Sequence, residues 1–404
     1  PGYGVFDKND RIWLTNNARQ GTRNSSTFCV VLEPDGSPAP FSPLFGGGLL
    51  GGGFGVAADP EGETIYFGNY GWGPMEWNPQ KGSVSAFTCG GKILSPPNGW
   101  VEGLSRVQGM ACDEEGNLWI ASWGSQVPMA PAPSRYNFPS ENSAVVVYPK
   151  GRPKGALVFS FDSPFHLTFD VALDEEGNAY ACNAGYRGDE ENGIHPVPSS
   201  VVKLRIVDGE IRCLARWISK EGNETLRQIA VDPGGDVYVG AVTGDRVIRL
   251  SRDLEYRGEL KQSIQAPWGL TFDPAGTLWV ANFVREMDKE APAGEKIGPF
   301  GVTVIRRGKE ETAKLMTLPT GGNEVTLANG LPLYGNPETG SGQEIPLHSY
   351  DPLMRLTGTS IDRAGNLWAF NNWKPSAAID LIRGNPPGDG VVIFVGIAEP
   401  APRT

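Results

Sequence analysis

The sequence has no CxxC pair, only three histidines, and no apolar run near the ~20 residues that span a bilayer. The segment GVVIFVGIAEP at 390–400 is too short for that role. Without CxxC spacing a structural zinc site is not indicated. The five cysteines, Cys29, Cys89, Cys112, Cys182 and Cys213, leave at least one that cannot pair within the chain. Cys112 and Cys182 fall inside apolar runs, where a small buried hydrophobe is the simplest reading. Clustered Lys and Arg are lacking too, and a formal net charge of −11 argues against nucleic acid and anionic membranes as partners. Almost no stretch carries a 3.6-residue apolar rhythm with caps, so few helices are expected. The chain begins at Pro1 with no methionine or leader, which is read as a processed mature form or a trimmed piece; a secreted or periplasmic protein is expected.

What is abundant is turn chemistry, with 54 glycines and 34 prolines, beside enough apolar residues (39%) for a large core. The segment GMACDEEGNLWIASWG at 109–124 shows how they are used. Asp113 is placed to accept the N–H groups that follow it, Gly116 to take the left-handed conformation, and Leu118 to Ala121 to resume as a strand. The unit reads as a β-hairpin buried on both faces.

Comparable units begin at Val5, Val56, Val171, Ile229, Leu270 and Thr359, making seven, with turn aspartates at Asp7, Asp59, Asp113, Asp174, Asp232, Asp273 and Asp362. The shortest interval, Asp232 to Asp273, is one four-stranded propeller blade long, and the longer ones add loops. Third strands are predicted at SVSAFTC, AVVVYPK, SVVKLRIV, DRVIRLSRD, GVTVIRR and GVVIFVG, and fourth strands at EIRCLARW and GALVFSF. The fold class is therefore all-β: one seven-bladed β-propeller over residues 1–404, with four-stranded antiparallel blades around a central channel. A long loop insertion is expected at about 317–352. The unit, hDxxGxhWhAN in outline, resembles NHL-repeat propellers and the virginiamycin B lyase-like and gluconolactonase-like families. Blade 1 departs from it, with Asp10 in place of the glycine.

In such folds the residues before each first strand and after each second strand converge on one channel mouth, where ligands bind. The entering residues include Tyr3, Gln108, His166, Asp170, Arg227, Gln228, Trp268 and Arg355. Those leaving include Asn16, Asn69, Tyr70, Trp123, Asn183, Tyr186, Arg187, Asn282, Phe283, Asn371 and Asn372. The recurring asparagines read first as strand-end caps bonded to the neighbouring blade. All three histidines, His166, His195 and His348, fall on loops of this face. Asp170 occupies a register that is glycine in three other repeats; it reads as a salt bridge to Arg227, a structural Ca²⁺ ligand, or a catalytic carboxylate. The run FGGGLLGGGFG at 45–55 lacks the Lys-Ser/Thr and helix of a phosphate cradle and reads as a flexible entry loop.

Two functions fit. One is an enzyme acting on a small polar or glycosidic molecule, with His166 and Asp170 as acid/base pair and Arg227 or Arg187 stabilising negative charge. The resemblance implies lyase or lactone-hydrolase chemistry and a divalent ion, Ca²⁺ or Mg²⁺. Asp170, Asn183 and Asn282 reproduce the lactonase metal set only in part, and blades 5 and 6 lack the late-blade histidine of the lyases. The other is a binding or interaction scaffold that stacks a carbohydrate-like ligand on Trp72, Trp123, Tyr186, Trp268, Phe283 and Trp373, with His195 and Asn371 among its polar contacts. Trp119, Trp279 and Trp368 read as blade packing. A monomer is expected.

Overall fold

The computed structural model describes residues 2–16, 27–50, 52–71, 82–124, 142–191, 193–283, 301–317, 353, 356–371 and 390–400. The turn aspartate explains why one hairpin recurs. In blade 3, Asp113 accepts the backbone N–H of Asn117 at 2.7 Å on one carboxylate oxygen and the indole N–H of Trp119 at 2.9 Å on the other. Trp13 with Asp7 and Trp368 with Asp362 repeat the indole bond at 3.0 Å, and Tyr180 donates its hydroxyl to Asp174 at the same length. One carboxylate thus closes the turn and satisfies the polar atom of a large ring buried between blades, which would otherwise be an orphaned donor. Gly116 takes φ +79 as expected, and Asp10 reaches the same region at φ 61, so blade 1 keeps the turn without its glycine.

These hairpins form the inner pair of seven antiparallel sheets that ring a common axis, a seven-bladed β-propeller. The inner strands of blades 1 to 7 are Gly4–Phe6, Gly52–Ala58, Val107–Cys112, Thr168–Leu173, Leu226–Val231, Pro267–Phe272 and Leu356–Ile361. Each packs against the next, and the last against the first. Within a sheet the strands step outward in chain order; five sheets have four strands, and blades 2 and 7 have three among the described residues. The expected third and fourth strands all form, and the only helices among the described residues are three short 3-10 turns.

The ring closes without a shared strand. Thr357 Oγ1 donates to Gly2 O at 2.8 Å and Ser360 Oγ to Gly4 O at 2.7 Å, stitching blade 7 to blade 1. Among the described residues the C-terminal segment adds no outer strand: Ala398 N bonds Gly365 O and Glu399 N approaches Asp273 Oδ2, so these two residues lie over the turns of blades 7 and 6. Gly47 and Gly48 of the glycine run are packed instead of loose. A Cβ on Gly48 would fall 2.1 Å from Gly99 N, and Gly47 O accepts from Ser95 Oγ at 2.7 Å. All five cysteines are free thiols. Among the described residues no helix is long and apolar enough to cross a membrane.

Candidate functional site

Four residues before each turn aspartate, neighbouring blades come closest. A Cβ on Gly55 would lie 2.0 Å from the carbonyl oxygen of Gln108, and one on Gly109 would lie 1.8 Å from Asp170 Oδ1. Where this register is not glycine, the side chain reaches across instead. Asp170 Oδ2 accepts from Ile229 N at 3.1 Å, and Gln228 Oε1 from Leu270 N at 2.6 Å. The expected Asp170–Arg227 salt bridge does not form; Asp170 bonds the backbone of blade 5 instead.

One residue earlier, six of the seven inner strands slip register against their partners, between Gly52 and Val56, Val107 and Met110, Thr168 and Asp170, Leu226 and Ile229, Pro267 and Gly269, and Leu356 and Gly358. A bulge leaves the extra residue outside the ladder and re-aims it. The residues so placed are Phe54, Gln108, Phe169, Arg227, Trp268 and Thr357. Three of their rings meet across the axis from non-adjacent blades: Phe54–Phe169 at 5.4 Å, Phe54–Trp268 at 5.5 Å and Phe169–Trp268 at 6.0 Å. Tyr3 packs on Phe54 at 5.8 Å, Trp123 on Phe169 at 5.8 Å and Phe283 on Trp268 at 4.5 Å. The channel is therefore floored by aromatic rings near the end where the inner strands begin. Trp123, Arg227, Trp268 and Phe283 keep accessible surface there.

Arg227 sits within this cluster. Its guanidinium carbon lies 4.5 Å from the Phe169 ring centre, 4.7 Å from Trp268 and 5.8 Å from Trp123. Among the described residues its single hydrogen bond runs from Nη1 to the carbonyl of its neighbour Leu226 at 3.3 Å, Nε has no partner, and no carboxylate pairs with it. Burial lowers its pKa to about 10, so it remains cationic at neutral pH. Tyr3 OH, Gln108 Oε1 and Trp268 Nε1 are also buried without partners. Burial, reinforced by the charge of Asp170, raises the Tyr3 pKa well above its ordinary value, so its hydroxyl keeps its proton. Burial pushes the Asp170 carboxyl up to about 7, against the backbone N–H bonds that lower it. The Cys182 thiol, raised mainly by burial, donates to the Arg227 carbonyl that the bulge frees from the ladder.

The other expected residues are placed differently. His166 does not share a strand face with Asp170, because it ends a 3-10 turn and Leu167 follows at φ 56, so the strand starts only at Thr168. Its Nε2 bonds Asp162 Oδ1 at 2.7 Å and its ring packs on Phe161 at 5.0 Å. Tyr186 stacks on Phe165 at 5.2 Å, at the base of a small hairpin closed by the Tyr186–Val197 and Asp189–Ile194 bridges. Arg187 and His195 are exposed on that hairpin. Among the described residues Asn183 and Asn282 clip their own blades and do not bond the neighbouring one. Asn183 accepts from Thr168 Oγ1 and donates to Ser200 Oγ; Asn282 accepts from Gln265 N and donates to Gly301 O and Thr303 Oγ1. Asn371 donates to Gly390 O in the same way. Trp72, His348, Arg355, Asn372, Trp373 and most of the 317–352 insertion lie outside the described residues.

The residues expected to hold a divalent ion do not suit one, since Asp170, Asn183 and Asn282 each engage other partners. Among the described residues no three His, Cys, Asp or Glu side chains group as a metal set. Sequence reasoning missed Phe54 and Phe169. Their signal is positional, one residue before the close-approach register that was noted for Asp170.

No protein-family model and no curated protein matches the chain. Among solved structures, Kuenenia stuttgartiensis hydrazine synthase is similar at TM-score 0.52 and 13% identity over 99% of this chain and 96% of that one. A catalytically inactive virginiamycin B lyase from Staphylococcus aureus with quinupristin matches at TM-score 0.48 and 11% identity, covering 86% of this chain and 85% of that one. A putative gluconolactonase matches at TM-score 0.43 and 14% identity, over 78% and 83%. At these identities the likeness is one of fold alone.

Proposed function

We propose that this propeller binds a small polar or carbohydrate-like molecule at the mouth of its central channel. The observation that carries the reading is the aromatic floor, with rings from blades 2, 4 and 6 in contact across the axis and Trp123, Trp268 and Phe283 still partly accessible around it. Such faces stack on flat or C–H-rich surfaces, and the unpartnered polar atoms of Tyr3, Gln108 and Trp268 give a ligand hydrogen bonds to make. Tyr186 with Arg187 and His195 forms the rim in this reading.

Binding is favoured over turnover because His166 and Asp170 are not drawn together: His166 bonds Asp162, and Asp170 bonds Ile229 N. A lyase or hydrolase is the second reading. It rests on Asp170, whose proton affinity near pH 7 suits a proton carrier at neutral pH. The test is a ligand screen read by thermal shift, followed by titration of the hits against Trp123→Leu. A mouth ligand loses affinity at least tenfold in the variant. Hits that bind the variant as tightly as the parent protein would remove the site from the channel mouth. Turnover of a hit that disappears in Asp170→Asn while binding persists would establish the second reading.

A further inference from the structure

We infer that the ligand carries a carboxylate, which Arg227 recognises at the channel floor. The inference rests on the binding function proposed above and names the chemical class that the site selects. Arg227 is a partly accessible cation with no carboxylate partner among the described residues, its Nε is buried, and three aromatic faces surround it. Ring faces complement a guanidinium through its π-facing surfaces, but they do not accept the in-plane N–H groups, which need lone pairs along the edge of the fork. Arg227 meets this need once, at the 3.3 Å bond to Leu226 O, and its Nε is left without an acceptor. A buried donor without a partner is destabilising, so the arrangement is completed by something that supplies acceptors.

The neighbouring groups narrow the class. Tyr3 OH and Trp268 Nε1 are further buried donors without partners in the same aromatic cluster. Donors around one cation suit a group whose oxygens only accept, and a carboxylate matches the arginine fork. A doubly charged phosphate fits less well. Among the described residues the floor holds one unpaired guanidinium, so a second negative charge would be left uncompensated. The rings around the cation require that the rest of the ligand be flat or have an apolar face, as an aromatic acid or an acidic sugar does.

The experiment is calorimetric titration of the intact chain with benzoate and glucuronate, their neutral counterparts benzyl alcohol and glucose, and inorganic phosphate. At least one carboxylate is expected to bind saturably and at least tenfold more tightly than its neutral counterpart; which of the two does so identifies the body as aromatic or sugar-like. Arg227→Gln loses that affinity on the order of tenfold to a hundredfold, the range of a charge-assisted hydrogen bond. Arg227→Lys, which keeps the charge but not the fork, falls between. Tyr3→Phe keeps the ring, deletes one donor and weakens the carboxylate severalfold, so the inference remains testable if Arg227→Gln does not fold. Neutral counterparts that bind as tightly as the carboxylates, or variants that leave carboxylate affinity unchanged, overturn the inference and leave the wider binding function standing. Phosphate binding more tightly than both carboxylates overturns the class, and so does the absence of saturable binding by either carboxylate; the Trp123→Leu titration of screened hits then judges the binding function separately.

Discussion

Asp170→Asn isolates the most perturbed carboxyl group of the channel wall. The carboxyl lies buried between blades 3 and 5, with Oδ1 against Gly109 and Oδ2 accepting from Ile229 N, and burial pushes its pKa from 3.8 up to about 7. Between those two values the folded chain holds a proton that the unfolded chain has released. The stabilisation is therefore complete below about pH 4 and is lost as pH rises through about 7. A displacement from 3.8 to about 7, at about 1.4 kcal/mol per pH unit, corresponds to about 4 kcal/mol. The amide of asparagine keeps an acceptor for Ile229 and does not titrate. Urea unfolding of both proteins at several pH values between about 4 and 8.5, compared as a difference, cancels the groups they share. The parent protein should lose stability relative to Asp170→Asn by a few kcal/mol across that range, and the variant should be the more stable of the two at the alkaline end. A difference that stays flat with pH would refute the claim that Asp170 is buried away from charge compensation.

Other consequences follow from the same geometry. Gly55→Ala drives a Cβ to 2.0 Å from a backbone oxygen of the next blade, which cannot yield as a side chain can, and should cost about 3 kcal/mol or more in chemical denaturation. Gly116→Ala meets no atom within 4 Å and bears only the strain of φ +79, about 1 kcal/mol; equal costs for the two would contradict the close-approach argument. Asp113→Ala uncaps the turn and orphans the buried indole N–H of Trp119, so a loss of about 2–3 kcal/mol is expected, while Trp119→Phe in the Asp113→Ala background should recover part of it. No recovery would mean that the indole bond contributes little.

The fold was legible because its signals are local. Asp113, Gly116 and Trp119 form a turn, a left-handed residue and a capped ring within seven positions; the turn aspartate recurs seven times, and among the described residues its bond to a ring recurs in blades 1, 4 and 7. The channel floor was legible only in part. Gln108, Arg227 and Trp268 are conspicuous as polar or bulky residues at strand entries, but Phe54 and Phe169 look like ordinary strand residues. Only the bulge turns them toward the axis, and a bulge of one or two residues leaves no mark in the apolar pattern. His166 misled for the converse reason. Its spacing from Asp170 fits one strand face only if the strand is continuous, and the left-handed Leu167 breaks it. The asparagines were conspicuous because they recur, yet the recurrence reflects a shared internal clip: Asn69, Asn183 and Asn282 each tie the start of the first strand, or the residues just before it, to the third.

The central claim is that the mouth of the channel is a ligand site built on Arg227 and its aromatic shell. A crystal structure of the protein grown with its tightest-binding carboxylate tests this most directly. The account predicts ligand oxygens within hydrogen-bond distance of the Arg227 fork and the ligand body against Trp123 or Trp268. Ligand density elsewhere on the molecule, with the Arg227 edge untouched, would contradict it.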